Sequence, residues 1–268
     1  MAQRLRLGFL ASHTGSSLRE IVRAIEAAEL DASVEIVISN NADAPALEFA
    51  RSKGIPTAHI SAKTAGSPEA ADRAIAHQLR ASNVGLVVLS GYLRKVGPST
   101  LRAFPGHILN IHPSLLPKFG GRGMFGAAVH EAVIAAKERY SGATVHIVDE
   151  EYDHGTVIAR FSIEISPGET VESLKSKIME LEPGLFIYAL KQIAQRGHVF
   201  PLLSDIMRAP LRVWNPPGFD GMARWASDLT TQFRAGGRRI WDGRRKWLGD
   251  LAGQFHMPHH TPSSRHFR

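Results

Sequence analysis

The 268-residue chain predicts an α/β fold, a mostly parallel sheet covered by helices on both faces. Three observations predict it. Short apolar runs alternate with stretches of helical periodicity, the order that right-handed crossovers between parallel strands require. The run Val84-Gly85-Leu86-Val87-Val88-Leu89 is apolar without alternation, the mark of a strand buried on both faces. Several of the runs open at their carboxyl ends into loops of Ser, Gly, Asn and His, and in such sheets ligands sit beyond that edge.

Residues 5–10 form the first strand. Ser12-His13-Thr14-Gly15-Ser16-Ser17 interrupts it, and Leu18, Ile21, Val22 and Ile25 then recur at helical spacing. The loop delivers Gly15, Ser16 and Ser17 to a helix N-terminus, where free amides and the helix dipole favour an anion. An ordinary serine N-cap accounts for the same residues, and neither the lysine of a P-loop nor a three-glycine fingerprint is present. A strand at 34–40, a helix at 44–53, a short strand at 57–60 and a helix at 68–82 follow. The apolar strand ending at Leu89 opens into Ser90-Gly91-Tyr92-Leu93-Arg94; a short helix at 98–103 leads to the strand His107-Ile108-Leu109-Asn110-Ile111-His112, stopped by Pro113 and Pro117. A glycine-rich stretch at 118–126 reads either as a lid or as a plain connection. After a helix at 127–136 and a connection come a strand at 143–148, the acidic turn Asp149-Glu150-Glu151-Tyr152-Asp153-His154-Gly155, and an antiparallel partner at 157–165. The last core helix, 171–195, buries Leu174, Ile178, Leu181, Leu185 and Leu190.

Composition excludes several classes. No apolar run approaches the roughly 18 residues that span a bilayer. The N-terminus passes directly into a strand pattern without the n-region and h-region of a secretion signal, and with no cysteine there is no disulfide framework or thiolate chemistry, so the expected address is cytoplasmic. The net charge of +7 is unevenly placed: residues 201–268 hold 11 Lys+Arg against 5 Asp+Glu, whereas the first 200 hold 21 against 20. Trp214, Trp225, Trp241 and Trp247 all lie in that segment too, which sets a boundary near Phe200-Pro201: a main domain at 1–200 and a basic, Trp-rich extension at 201–268.

Asn110 and His112 alternate with Leu109 and Ile111, so in a strand they share a face. A carboxamide donor beside a titratable imidazole suits a developing oxyanion, one group fixed and the other able to pass a proton. An isolated Asn-x-His is equally a strand ending in polar residues, with His112 a structural histidine. His146, inside a strand, reads as structural.

Taken in order, Ser12 to Leu18, Val37-Ile38-Ser39-Asn40-Asn41-Ala42-Asp43-Ala44, Leu89-Ser90-Gly91-Tyr92-Leu93-Arg94, Leu109-Asn110-Ile111-His112-Pro113-Ser114-Leu115-Leu116-Pro117 and Val145-His146 through Asp153 and Gly155 resemble the phosphoribosylglycinamide formyltransferases, folate-dependent enzymes of purine synthesis. The likeness covers about residues 5–200. It implies a Rossmann-like formyltransferase fold and transfer of a formyl group from 10-formyltetrahydrofolate to the primary amine of glycinamide ribonucleotide. It implies that Asn110, His112 and Asp153 are catalytic and that Gly15, Ser16 and Ser17 hold the substrate phosphate. Glu182 would accept from the glycyl amine, while Leu93, Arg94, Lys95 and Val96 with Asp149, Glu150, Glu151 and Tyr152 would line the folate pocket. It also implies a cis Leu116-Pro117 bond. A carboxylate beside an imidazole favours its charged form, which makes Asp153 the natural partner of His112. No metal is called for, since no His/Glu set stands at ligand spacing.

Three departures stand out. Where the family loop often reads Gly-Asn-Gly-Ser-Asn, this chain has His13-Thr14-Gly15-Ser16-Ser17. An arginine that some relatives place near the fourth helix falls at about Pro68, with Lys63 nearby, and the 120–126 segment is longer than in some relatives. Hydrolysis of the same folate and transfer to an amino sugar are compatible with the trio; relatives that hydrolyse carry an additional N-terminal regulatory domain, whereas here the catalytic pattern begins at residue 5. The remaining class is a non-catalytic nucleic-acid or membrane binder acting through the basic extension. In the extension, Trp225, Leu229 and Phe233, then Ile240, Trp247, Leu248, Leu251 and Phe255 beside Arg238, Arg239, Arg244, Arg245 and Lys246, read as basic amphipathic helices that pack on the domain or a second copy, or meet an anionic surface.

Overall fold

A computed structural model describes residues 4–196. The extension at 201–268, with its predicted helices, lies outside the described residues. Seven strands form one sheet in the order β3-β2-β1-β4-β5-β6-β7. They are β1 (Leu5–Ala11), β2 (Ala32–Ser39), β3 (Thr57–His59), β4 (Leu86–Leu89), β5 (Ile108–His112), β6 (Tyr140–Ile147) and β7 (Val157–Glu164). β1 to β5 run parallel, and β6 and β7 are antiparallel additions. The helices are α1 (Ser16–Glu26), α2 (Pro45–Ser52), α3 (Ala62–Ala65), α4 (Pro68–Ala81), α5 (Pro98–Ala103), α6 (Ala127–Ala135) and α7 (Val171–Arg196). Among the described residues no helix is long and apolar enough to cross a membrane.

The predicted order holds, with two differences. α3 is a single turn that lacks an apolar stripe; a reciprocal capping box between Ser61 and Thr64 makes it. β6 starts at Tyr140, where a connection is predicted, because pairing with β7 begins at Tyr140 opposite Glu164 and supplies the ladder bonds that a polar start does not advertise.

Strand alternation divides the core. Leu10, Ile36, Ile38, Val87, Leu89 and Ile108 pack with Ile75 and Leu79 of α4 and with Phe104. Phe9, Val37, Val88 and Leu109 point the other way. α1 packs against α7, which buries Leu174, Ile178, Leu185, Phe186, Ala189 and Leu190. Leu181, predicted to be buried there, is only half-buried.

After β1 the chain winds outward to β2 and β3, then returns past β1 to β4. The loops leaving β1 and β4 therefore part in opposite directions and leave a crevice at their carboxyl ends. Three bonds tie its two banks: Ser12 N–H to Gly91 O at 3.2 Å, Leu93 N–H to Ser12 Oγ at 2.9 Å and Leu18 N–H to Ser90 Oγ at 3.2 Å. Ser12 Oγ donates to Asn40 Oδ1 at 2.6 Å, so the end of β2 is held as well.

Candidate active site

Gly15 is the N-cap of α1 with φ 62°, a left-handed conformation; a Cβ there would also meet Ala46 Cβ at 3.0 Å. The first intrahelical bond is Arg19 N–H to Gly15 O, and Leu18 N–H is taken by Ser90, so the Ser16 and Ser17 amides have no intrahelical acceptor. Ser16 is exposed while Ser17 is 2% exposed, so of the two predicted hydroxyls the outward one is Ser16.

β5 and β6 bring the chemistry together. Their antiparallel register sets Asn110 opposite His146 and His112 opposite Thr144. The Pro113-to-Pro117 turn is nailed to β6: Thr144 Oγ1 donates to Ser114 O at 2.7 Å and accepts from Leu116 N–H at 3.2 Å, with Leu116-Pro117 cis. His112 is 3% exposed, its Nδ1 3.3 Å from Asp153 Oδ2 and its Nε2 2.7 Å from the carbonyl of Phe119. Asp153 Oδ2 also accepts from Gly121 N–H at 3.0 Å. His146 lies between the predicted members: Nδ1 donates to Ile147 O at 2.9 Å, and Nε2 is 3.2 Å from Asn110 Nδ2 and 3.5 Å from Asp153 Oδ1. The sequence reading of His146 as merely structural thus misses its contacts. Nothing local marks it; only the β5–β6 register places it opposite Asn110.

Asp153 sits at φ 55° in a turn organised by Asp149, which accepts from Glu151 N–H and pairs with His154 at 2.9 Å. Burial alone would raise the Asp153 carboxyl. The hydrogen bonds from His112, His146 and the Gly121 amide overcome it and hold the group well below the usual carboxylate range. Glu182 behaves oppositely. It stands four residues from both Ile178 and Phe186, a half-buried acid on the apolar stripe of α7, and burial pushes its carboxyl up to about 7 against the pull of His112. His130 on α6 is also buried near His112; its Nδ1 has no hydrogen-bond partner, and burial, with Lys175 and His112, lowers its pKa.

The predicted folate-lining residues fall in two groups. Arg94, Lys95 and Val96 line a cavity of about 1000 Å³ together with Ser12, Asn40, Lys63 and Pro68. Leu93, 57% exposed, and Asp149, Glu150, Glu151 and Tyr152 are outside its lining, as are Asn110, His112 and Asp153. The two groups meet where the Lys95 ammonium lies 5.5 Å from the centre of the Tyr152 ring. Among the described residues no group of three or more His, Asp or Glu is arranged to hold a metal ion. The arrangement offers a carboxamide and an imidazole for a developing negative oxygen, an ionised carboxylate for a proton, and amides for an anion.

The family profile described as "Formyl transferase" matches residues 5–190. The chain is 35% identical over 194 residues to the chloroplastic phosphoribosylglycinamide formyltransferase of Arabidopsis thaliana, covering 72% of this chain and 66%, just under two-thirds, of that relative. It is 35% identical over 188 residues to the phosphoribosylglycinamide formyltransferase of Bacillus subtilis, covering 70% of this chain and 94% of the relative. Among solved structures, glycinamide ribonucleotide transformylase 1 of Symbiobacterium toebii superposes with a TM-score of 0.67 at 35% identity, over 72% of this chain and 88% of the other.

Proposed function

Because this chain belongs to the formyl transferase family, we propose that it transfers the formyl group of 10-formyltetrahydrofolate to the primary amine of glycinamide ribonucleotide, a step of purine biosynthesis. The observation that carries the reading is the cluster in which His112 and His146 both face Asp153 while Asn110 faces His146. Two catalytic candidates from one strand and a carboxylate some forty residues later converge there at the carboxyl end of β5.

In this reading the acceptor's phosphate lies on the Gly15-Ser16-Ser17 loop and its amine reaches the site past Glu182. The amine nitrogen attacks the formyl carbon, and the carbonyl electron pair moves to oxygen, where Asn110 donates a hydrogen bond and His112 a proton. Asp153 takes the proton that the attacking nitrogen sheds. On collapse the oxygen returns its proton to His112, the bond from carbon to the folate nitrogen breaks, and the proton held by Asp153 goes to that nitrogen. An ionised Asp153 suits the first half of this exchange.

His146 Nδ1 donates to a carbonyl, and its Nε2 stands 3.2 Å from the Asn110 carboxamide, a contact that holds that side chain beside the cleft. The donor would occupy the region of Leu93 to Val96 and Asp149 to Tyr152, and a cytoplasmic address, self-association and an anionic contact for the extension complete the proposal.

The test is the absorbance change as purified protein consumes 10-formyltetrahydrofolate with and without glycinamide ribonucleotide, beside an Asp153→Asn variant. Acceptor-dependent turnover that collapses in the variant is expected. Acceptor-independent formate release would assign hydrolysis instead, and turnover only with amino sugars would reassign the acceptor.

A further inference from the structure

Among the described residues five non-glycine residues have positive φ: Ala28, Asn83, Phe119, Lys137 and Asp153. Three of them, Ala28, Asn83 and Lys137, stand two residues beyond the last residue of α1, α4 and α6, where a left-handed residue ends a helix. Phe119 at φ 56° and Asp153 at φ 55° end no helix, and both touch His112. A bulky side chain adopts this conformation only where its surroundings require it. At Phe119 the requirement is visible. The carbonyl it carries meets His112 Nε2 at 2.7 Å, and two residues on, Gly121 N–H meets Asp153 Oδ2 at 3.0 Å. Gly120 lies between, where a Cβ would meet Leu116 Cδ2 at 2.5 Å and Asp153 Cβ at 3.1 Å, so the segment is wrapped closely over the pair.

A carbonyl oxygen only accepts, so Nε2 carries a proton and is engaged by a short bond. The contact from Nδ1 to Asp153 is longer, 3.3 Å. Accepting the catalytic reading proposed above, we propose that Phe119 is a positioning residue: its left-handed backbone aims a carbonyl that fixes the ring of His112, so that Nδ1, beside Asp153, is the nitrogen that addresses the substrate oxygen. The longer of the two contacts is the one surrendered when the formyl oxygen arrives, and the shorter one holds the ring while the proton moves. The glycine-rich segment after Pro117 thereby orients a catalytic side chain through its main chain.

The test separates backbone from side chain. Gly and Asn adopt the left-handed region readily, whereas Val, closer to Phe in character, resists it. Phe119→Gly and Phe119→Asn are expected to keep kcat within about threefold of the parent, while Phe119→Val lowers kcat about tenfold or more with both KM values little changed. Nitrogen-15 spectra of the full chain are expected to report a protonated, carbonyl-bonded Nε2 at His112 in the parent and the Gly and Asn variants, and its loss in the Val variant. The pH profile of kcat should move only in the Val variant; the titratable groups facing His112 are Asp153 from its turn, Glu182 from α7 and His130 from α6. Equal losses in all three variants, or parental kcat and spectra in the Val variant, would overturn the proposal. If the Val variant does not fold, loss of activity or of the Nε2 signal in the Gly and Asn variants overturns it, and retention of both sustains it. A His112→Asn variant that turns over normally would instead remove the catalytic reading beneath it.

Discussion

At the scale of single residues, the two acids near His112 are driven in opposite directions, one by hydrogen bonds and the other by burial, and each direction makes a prediction. Glu182 is raised to about 7 by burial, so the carboxylate that would receive the acceptor's amine is lost as pH falls through that value. The acceptor KM is expected to rise on acidification from pH 8 to 6, and Glu182→Gln to abolish that dependence. The linkage sign is equally definite. An unfolded glutamate ionises near pH 4.3, below the folded value, so Glu182 costs stability progressively as pH rises from about 4 to about 7. Glu182→Gln should therefore match the parent at pH 4 and be more stable at pH 8 in urea titrations. Asp153 runs the other way. Its depressed pKa contributes stability that is fully present above the unfolded value near 3.9 and lost as pH falls below it, so Asp153→Asn should flatten the acid limb of the stability curve. In the proposed reading Asn110→Ala removes an oxyanion donor, and a loss of about 10²–10³ in kcat with intact folding is the expected outcome of steady-state kinetics.

At the scale of elements, short helices near the site depend on tertiary partners. α5 begins at Pro98 with Gly97 as N-cap and no side-chain cap of its own. Asp72 of α4 supplies one, accepting from Ser99 N–H at 2.6 Å, Thr100 N–H at 3.1 Å and Thr100 Oγ1 at 2.7 Å. Burial opposes its charge, and these bonds overcome that and lower its pKa. Gly97 is required as well, since a Cβ there would collide with the Asp72 carboxylate. Asp72→Ala would strand two helix N-terminal amides and a hydroxyl, and a loss of about 1–3 kcal/mol, read as a lower urea midpoint at unchanged m, is expected. α7 carries Pro183 in its interior, one residue after Glu182. Proline removes an intrahelical bond there, and the helix persists because tertiary packing, more than propensity, sustains a helix with a buried face.

At the scale of the whole molecule, the family match ends at residue 190 while charge and tryptophan accumulate beyond 200. A chain ending at residue 200 is expected to keep kcat and both KM values within about threefold, as independent folding of the catalytic domain requires. A large loss of activity, with the fold intact by circular dichroism, would show that the extension serves the site. The sequence by itself determined the α/β class, the strand carrying Asn110 and His112 and the loop at Gly15, because periodicity and loop chemistry are local signals. Only the tertiary structure decided that His146 would stand beside Asn110, that Ser90 would take the Leu18 amide, and that the Phe119 carbonyl would cap His112. Each of these depends on strand register or on main-chain direction across the fold, and neither is written in the identity of the residue that makes the contact.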